Sequence, residues 1–213
     1  MKDYKTVLGF GEAEDTINKS KFIGYAKPVD TEEEAQLFIE EIKKLHWKAT
    51  HNVPVYILGL NNEVQRYSDD GEPSGTAGVP ILNMLINEGI TNIVVVVTRY
   101  YGGIKLGTGG LVRAYTHGAK IALKSSKVID RVFKKQYKLV LDYTLHGKVQ
   151  NEIMNGDYII KDTLFTDKVE MFIYCSPKDE EEFLNKITNI TNGKAEIIEM
   201  DEVFIYTYNG ELI

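Results

Sequence analysis

The sequence predicts an α+β protein of two domains, the second of them built on a βαββαβ plan. Three observations carry this. Strand-like and helix-like segments follow one another in that order between residues 136 and 208. Residues 93–97 (Ile-Val-Val-Val-Val) are five consecutive β-branched residues, the pattern of a strand buried on both faces. Charge is also unevenly divided: residues 1–131 hold 16 Lys/Arg and 16 Asp/Glu, whereas residues 132–213 hold 9 and 15. The whole net charge of −6 therefore lies in the second part. With 213 residues and 43% apolar content the chain can bury one large core or two small ones.

In the first part, residues 21–29 read as a strand. Thr31 followed by Glu34 is a capping-box pattern. Ala35, Phe38, Ile39, Ile42 and Leu45 then recur at helical spacing. Residues 53–60 read as a strand and residues 68–75 as a turn-rich loop. Pro80 suits the first turn of a helix carrying Ile81, Leu82, Leu85 and Ile86, and Gly89 suits its left-handed end. After the strand at 93–97 comes a glycine-rich segment, residues 99–110. A helix follows it, with Leu111, Tyr115, Ala119 and Ala122 or Leu123 on one face.

In the second part, residues 136–143 alternate as a strand, and Leu145, Val149 and Ile153 are spaced four apart as on a helix. Residues 158–165 and 169–174 read as strands. Ser176-Pro177-Lys178-Asp179 reads as a helix start with Ser176 as cap. Phe183, Leu184, Ile187 and Ile190 form that helix's apolar face, Gly193 ends it, and residues 195–208 hold the last strand. This is the ferredoxin-like plan. The domain boundary is expected near residues 131–136, giving domains 1–131 and 132–213.

Several function classes lose ground on composition. No apolar stretch approaches 18 residues, so no membrane span is expected, and the first ten residues lack a signal-peptide pattern. Cys175 is the only cysteine, which excludes an internal disulfide and a cysteine zinc site. A cytoplasmic location is the simplest expectation. An acidic total disfavours bulk nucleic-acid binding but leaves room for a local basic site.

The glycine-rich segment is the main candidate site. Glycines between a strand and a helix let backbone N–H groups approach a phosphate. Arg99, Lys105 and Arg113 flank it, Tyr100 and Tyr101 offer rings for stacking on a base, and Gly102, Gly103 and Thr108 complete the set. A strand-loop-helix turn brings its two ends close, so Arg99, Lys105 and Arg113 are expected on one electropositive rim, Arg113 in the first helical turn. The bland reading is that the glycines serve tight turns and the tyrosines packing. Neither a Walker A nor a Rossmann fingerprint is present.

A second loop holds Asp69, Asp70, Glu72 and Ser74, with His51 ahead of the nearby strand. Three carboxylates in four residues suit a divalent cation, but Asp-Gly and Glu-Pro are also ordinary turn chemistry. A carboxylate pairing with Arg99 or Arg113 is an equal reading. A triad of Ser74, His51 and Asp69 or Asp70 can be drawn, without a GxSxG elbow to support it. No metal, catalytic residue or cofactor is expected.

Three stretches carry a family resemblance: Ser20-Lys21-Phe22-Ile23-Gly24, the run from Ser68 through Asp69, Asp70, Gly71, Glu72, Pro73, Ser74, Gly75, Thr76 and Ala77 to Gly78, and the run from Thr98 through Arg99, Tyr100, Tyr101, Gly102, Gly103, Ile104, Lys105 and Leu106 to Gly107. Together they resemble the signature of the IMPACT/YigZ family. The resemblance implies a first domain like the second domain of small-subunit ribosomal protein five. It implies a second domain like the C-terminal domain of elongation factor G. Eukaryotic relatives are linked to translational control through protein partners, so RNA, the ribosome or a translation-associated protein is the implied partner. One departure stands at His51-Asn52-Val53: the family often has a cysteine after His-Asn, and no role resting on it transfers here. The oligomeric state stays open.

Overall fold

The computed structural model describes residues 3–213. They form two compact units, Asp3–Asp130 and Arg131–Ile213.

The first unit is a five-stranded antiparallel sheet with helices on both faces. Its elements are β1 (Tyr4–Val7), β2 (Gly11–Ile17), β3 (Ser20–Pro28), α1 (Glu32–Leu45), β4 (His51–Leu58), β5 (Val64–Tyr67), α2 (Gly78–Asn87), β6 (Ile93–Tyr100) and α3 (Gly107–Ser126). The strand order is β2-β3-β6-β4-β5. The apolar run in β6 is central, and its side chains alternate between two cores. Ile93, Val95 and Val97 pack with Phe22, Val53, Val55 and the buried faces of α2 and α3. Val94 and Val96 pack with Ile23, Tyr25, Tyr56 and the Ala35, Phe38 and Ile42 stripe of α1. An unalternated apolar strand is thus explained by two covered faces, here in an antiparallel sheet.

Helix α1 begins as its sequence predicts. Thr31 Oγ1 accepts from Glu34 N at 3.2 Å, and Glu34 Oε2 reaches back one residue further than expected, to Asp30 N at 2.8 Å. Leu45, expected on the apolar face, is instead exposed at the helix end. Helix α3 lies unusually close to the sheet. A Cβ on Gly24 of β3 would stand 2.0 Å from the carbonyl oxygen of Gly118, and one on Gly11 of β2 2.3 Å from Ser126 N.

The second unit holds the later part of β7 (Val128–Leu141), then α4 (Tyr143–Met154), β8 (Ile159–Phe165), β9 (Val169–Cys175), α5 (Glu180–Thr191), β10 (Glu196–Tyr208) and β11 (Glu211–Leu212). The order β10-β7-β9-β8 is that of a ferredoxin-like βαββαβ sheet, with β11 added outside β10. Val149 and Ile153 of α4 and Phe183 and Ile187 of α5 pack on Tyr137, Leu139, Leu141, Met171 and Ile173. Ser176 does not cap α5. A 3-10 turn at Pro177–Asp179 intervenes, and the Ser176 hydroxyl accepts from Lys134 Nζ at 2.5 Å.

Candidate functional site

The end of β6 organises the site. Because Ile93, Val95 and Val97 face α3, alternation turns Arg99 the same way, into the molecule. Its side chain is only 6% exposed. A buried guanidinium needs a compensating charge, and Glu72 of the loop between β5 and α2 supplies it. Arg99 Nη1 donates to Glu72 Oε1 at 2.6 Å, and Tyr115 OH of α3 donates to the same oxygen at 2.7 Å. Arg99 Nη2 donates to Ser20 Oγ at 3.3 Å, which also accepts from Gly102 N at 3.1 Å. The guanidinium carbon lies 5.4 Å from the Phe22 ring centre and 5.3 Å from that of Tyr101. Burial and the Glu72 contact push the Tyr115 hydroxyl far above its ordinary pKa, so it acts only as a neutral donor.

The other carboxylates of this loop hold backbone. Asp69 Oδ1 accepts from Ala77 N at 3.1 Å and Gly78 N at 2.8 Å, and Oδ2 from Gly75 N at 2.8 Å. It therefore caps the start of α2, whose own N-cap, Ala77, has no side chain able to do so. Asp70, with a left-handed φ of 46°, accepts Asn52 N on Oδ2 at 2.6 Å. Its carbonyl oxygen accepts from His51 Nδ1 at 2.7 Å. His51 Nε2 is then turned toward Glu72 Oε1, 3.6 Å away. No contact joins Ser74 to His51 among the described residues, so the drawn triad is not assembled: Ser74 is at the surface while the imidazole is fixed by the Asp70 backbone.

The glycine-rich loop divides between inside and outside. Tyr100 is not free for stacking. Its hydroxyl bonds His46 Nδ1 at 2.9 Å, and His46 Nε2 contacts Tyr25 OH at 2.5 Å. Burial lowers the His46 pKa, which keeps the ring neutral between two tyrosines. Gly102 is a packing glycine: a Cβ there would stand 1.9 Å from the Lys19 carbonyl oxygen. Tyr101, by contrast, is 46% exposed. Gly103, Lys105 and Thr108 are exposed as well. Helix α3 starts at Gly107, three residues before the glycines end, so Arg113 sits in its second turn rather than its first. Lys105 and Arg113 are exposed and make no ion pair among the described residues. Arg99 is withdrawn from the expected three-cation rim because its strand register aims it at Glu72.

These contacts unite stretches distant in sequence, and comparison with known proteins finds the same stretches inside a family model. The Impact N-terminal domain matches residues 18–123. Across 205 residues the chain is 42% identical to IMPACT family member YvyE of Bacillus subtilis (strain 168), covering 96% of this chain and 94% of that one. The chain belongs to the IMPACT family. IMPACT family member YigZ of Escherichia coli (strain K12) is 34% identical over 199 residues, covering 87% of this chain and 92% of that one. Among solved structures, the crystal structure of a hypothetical protein aligns with TM-score 0.59 and 30% identity, over 94% of this chain and 98% of that one. Residues 139–194 match a domain of unknown function, DUF1949.

Within this IMPACT family member the three stretches that carry the resemblance meet at one point. Ser20 comes from the first, Glu72 from the second, and Arg99 with Gly102 from the third. Much of the motif chemistry thus closes on itself, and what it leaves outward includes Gly71, Pro73, Ser74 and Gly75 of the second stretch and Tyr101, Gly103, Ile104 and Lys105 of the third. Among the described residues no group of three or more His, Cys, Asp or Glu is arranged to hold a metal ion, and no helix is long and apolar enough to cross a membrane.

Proposed function

We propose that this protein is a non-enzymatic binding and regulatory protein linked to translation, cytoplasmic, that contacts RNA or the ribosome through its glycine-rich loop. The observation that supports this reading is Tyr101. Its ring is half-exposed, is backed by the Arg99 guanidinium, and stands on the same strand-loop-helix turn as Lys105 and Arg113, which have no ion pair among the described residues. A supported aromatic face with exposed cations on the same strand-loop-helix turn suits a stacked base and its phosphate. Family membership supports the link to translation, since the resemblance implies it for the eukaryotic members. An enzyme acting on a small phosphorylated substrate has less support, because Asp69, Asp70 and Glu72 are already engaged by backbone, Arg99 and Tyr115.

The test is fluorescence anisotropy with a labelled twelve-nucleotide oligouridine, and co-sedimentation with ribosomes, at several salt concentrations. Replacing Lys105 and Arg113 with Ala is expected to reduce the salt slope by about 1.4, since each lost phosphate contact on a single strand is worth about 0.7. Tyr101→Ala is expected to weaken binding by about 1–3 kcal/mol with the slope unchanged. Binding by the parent that ignores salt, or a folded variant with Tyr101, Lys105 and Arg113 all replaced by Ala that binds as the parent does, overturns the reading. In a second reading the partner is a protein. The open edge of the first sheet favours it.

A further inference from the structure

Strand β2 ends the five-stranded sheet and, among the described residues, has no strand on its outer side. It joins β3 through a two-residue turn, Asn18 and Lys19, both left-handed at φ 46° and 63°. That geometry makes the flanking residues Ile17 and Ser20 a hydrogen-bonded pair. By alternation, Glu12, Glu14 and Thr16 turn their N–H and C=O groups to the open side. Two of those groups are met by side chains. Glu12 O accepts from Ser125 Oγ at 2.9 Å, and Thr16 N donates to Asp15 Oδ1 at 2.7 Å. The N–H and C=O of Glu14, at the middle of the strand, have no hydrogen-bond partner among the described residues. Glu12, Glu14, Asp15 and Thr16 are all exposed.

Helix α3 runs beside this edge and leaves a groove with two openings. One, of about 390 Å³, lies among Ile17, Asn18, Leu106, Gly110 and Arg113. The other, of about 490 Å³, lies among Ala13, Ile121, Lys124 and Ser125. Asp15 and His117 line both, and their 2.8 Å contact bridges the groove between them.

We propose that this groove binds an extended peptide segment of a partner protein as an added strand on β2. The segment carries an acidic side chain and an aliphatic one four positions apart. Strand addition needs an open edge with free backbone groups and alternate pockets beside it. The openings lie beside Ile17 and Ala13, four residues and about 13 Å apart along a strand. Partner side chains at matching spacing both point toward α3, and the one between them lies over the Asp15–His117 bridge, which favours a small polar residue. The Arg113 opening takes the acid, because that guanidinium has no carboxylate among the described residues. The opening at Ala13 and Ile121 takes the aliphatic side chain. A nucleic-acid strand fits less well, because Glu12, Glu14 and Asp15 would face its phosphates.

The probe is a blocked, fluorescein-labelled heptapeptide of threonine and serine with aspartate second and leucine sixth, titrated against the whole protein by anisotropy. Saturable binding is expected. In the antiparallel register that sets the aspartate beside Ile17 and the leucine beside Ala13, the fifth residue faces Glu14, so proline at the fifth position removes a ladder N–H; that change, or lysine in place of the aspartate, is expected to weaken binding at least tenfold. On the protein side, Ile121→Lys and Arg113→Glu are each expected to weaken it about tenfold, with melting temperature checked. No binding, equal binding of the proline peptide, or indifference to both folded variants each overturns the proposal. The proline peptide and Ile121→Lys leave Tyr101 and Lys105 untouched, so failure here is separable from failure of the RNA reading.

Discussion

Arg99 Nη1 lies 2.6 Å from Glu72 Oε1, and neither side chain is more than 6% exposed. Removing one partner of a buried pair leaves the other charge uncompensated, at about 3–5 kcal/mol. Arg99→Ala and Glu72→Gln are therefore expected to lower stability by that order in urea unfolding. Arg99→Lys is expected to rescue little, because lysine lacks the planar fork that reaches Glu72 and Ser20 from two separate nitrogens. Replacing both partners with apolar residues is expected to cost much less than either single change. A loss below about 1 kcal/mol for Glu72→Gln would contradict the internal role assigned to the pair.

Two glycines separate packing from propensity. Gly24→Ala drives a Cβ to 2.0 Å from the Gly118 carbonyl oxygen and is expected to destabilise by about 2 kcal/mol or more. Gly109, in the first turn of α3, has nothing within 4 Å of an added Cβ. Gly109→Ala is expected to be neutral or to stabilise by about 0.5 kcal/mol. Thermal melts of the two variants check both signs.

Burial in the ferredoxin-like core raises the Cys175 thiol to about 11. Because the folded value is the higher, this group's stabilising contribution is complete below its unfolded pKa and is lost as pH rises through about 11. At pH 8 the thiol is expected to react with Ellman's reagent at least a hundredfold more slowly in the folded protein than in urea. Fast labelling of the native protein would contradict the core placement.

The hydrogen bond from His117, followed by that from Thr16 N, holds the Asp15 carboxyl below its ordinary pKa. With the folded value depressed, the contact stabilises above the unfolded pKa and is lost as pH falls through the folded one. His117→Ala is expected to move the Asp15 carboxyl titration, followed by NMR, part of the way back toward the ordinary value. An unmoved titration would show that the bridge across the groove does not form in solution.

What was legible in the sequence follows from side-chain period. The stripes of α1, α2 and α3, the doubly buried β6 and the order of the second unit all leave strong apolar patterns. Strands β2 and β5 went unread because edge strands carry polar residues on their open sides: Glu12, Glu14, Asp15 and Thr16 in one, Gln65 and Arg66 in the other. The same blindness hid the Asp15–His117 groove, whose walls come from residues about a hundred positions apart. Arg99 was legible as a charge at a strand end but not as an inward one. A period-2 count from Val95 and Val97 would have aimed it at the core. Glu72 as its partner was open in the sequence as one reading among several, and only the turn of the loop decided it.

Gly102 rests on the carbonyl of Lys19, so the tip of the β2–β3 hairpin acts as a gauge block for the loop that displays Tyr101 and Lys105. The height at which that loop stands is set by the length of the hairpin turn beneath it. A single residue inserted between Asn18 and Lys19 would lift the display without altering any of its side chains. Loop presentation in this protein can thus drift through changes made more than eighty positions away, while the displayed letters stay the same.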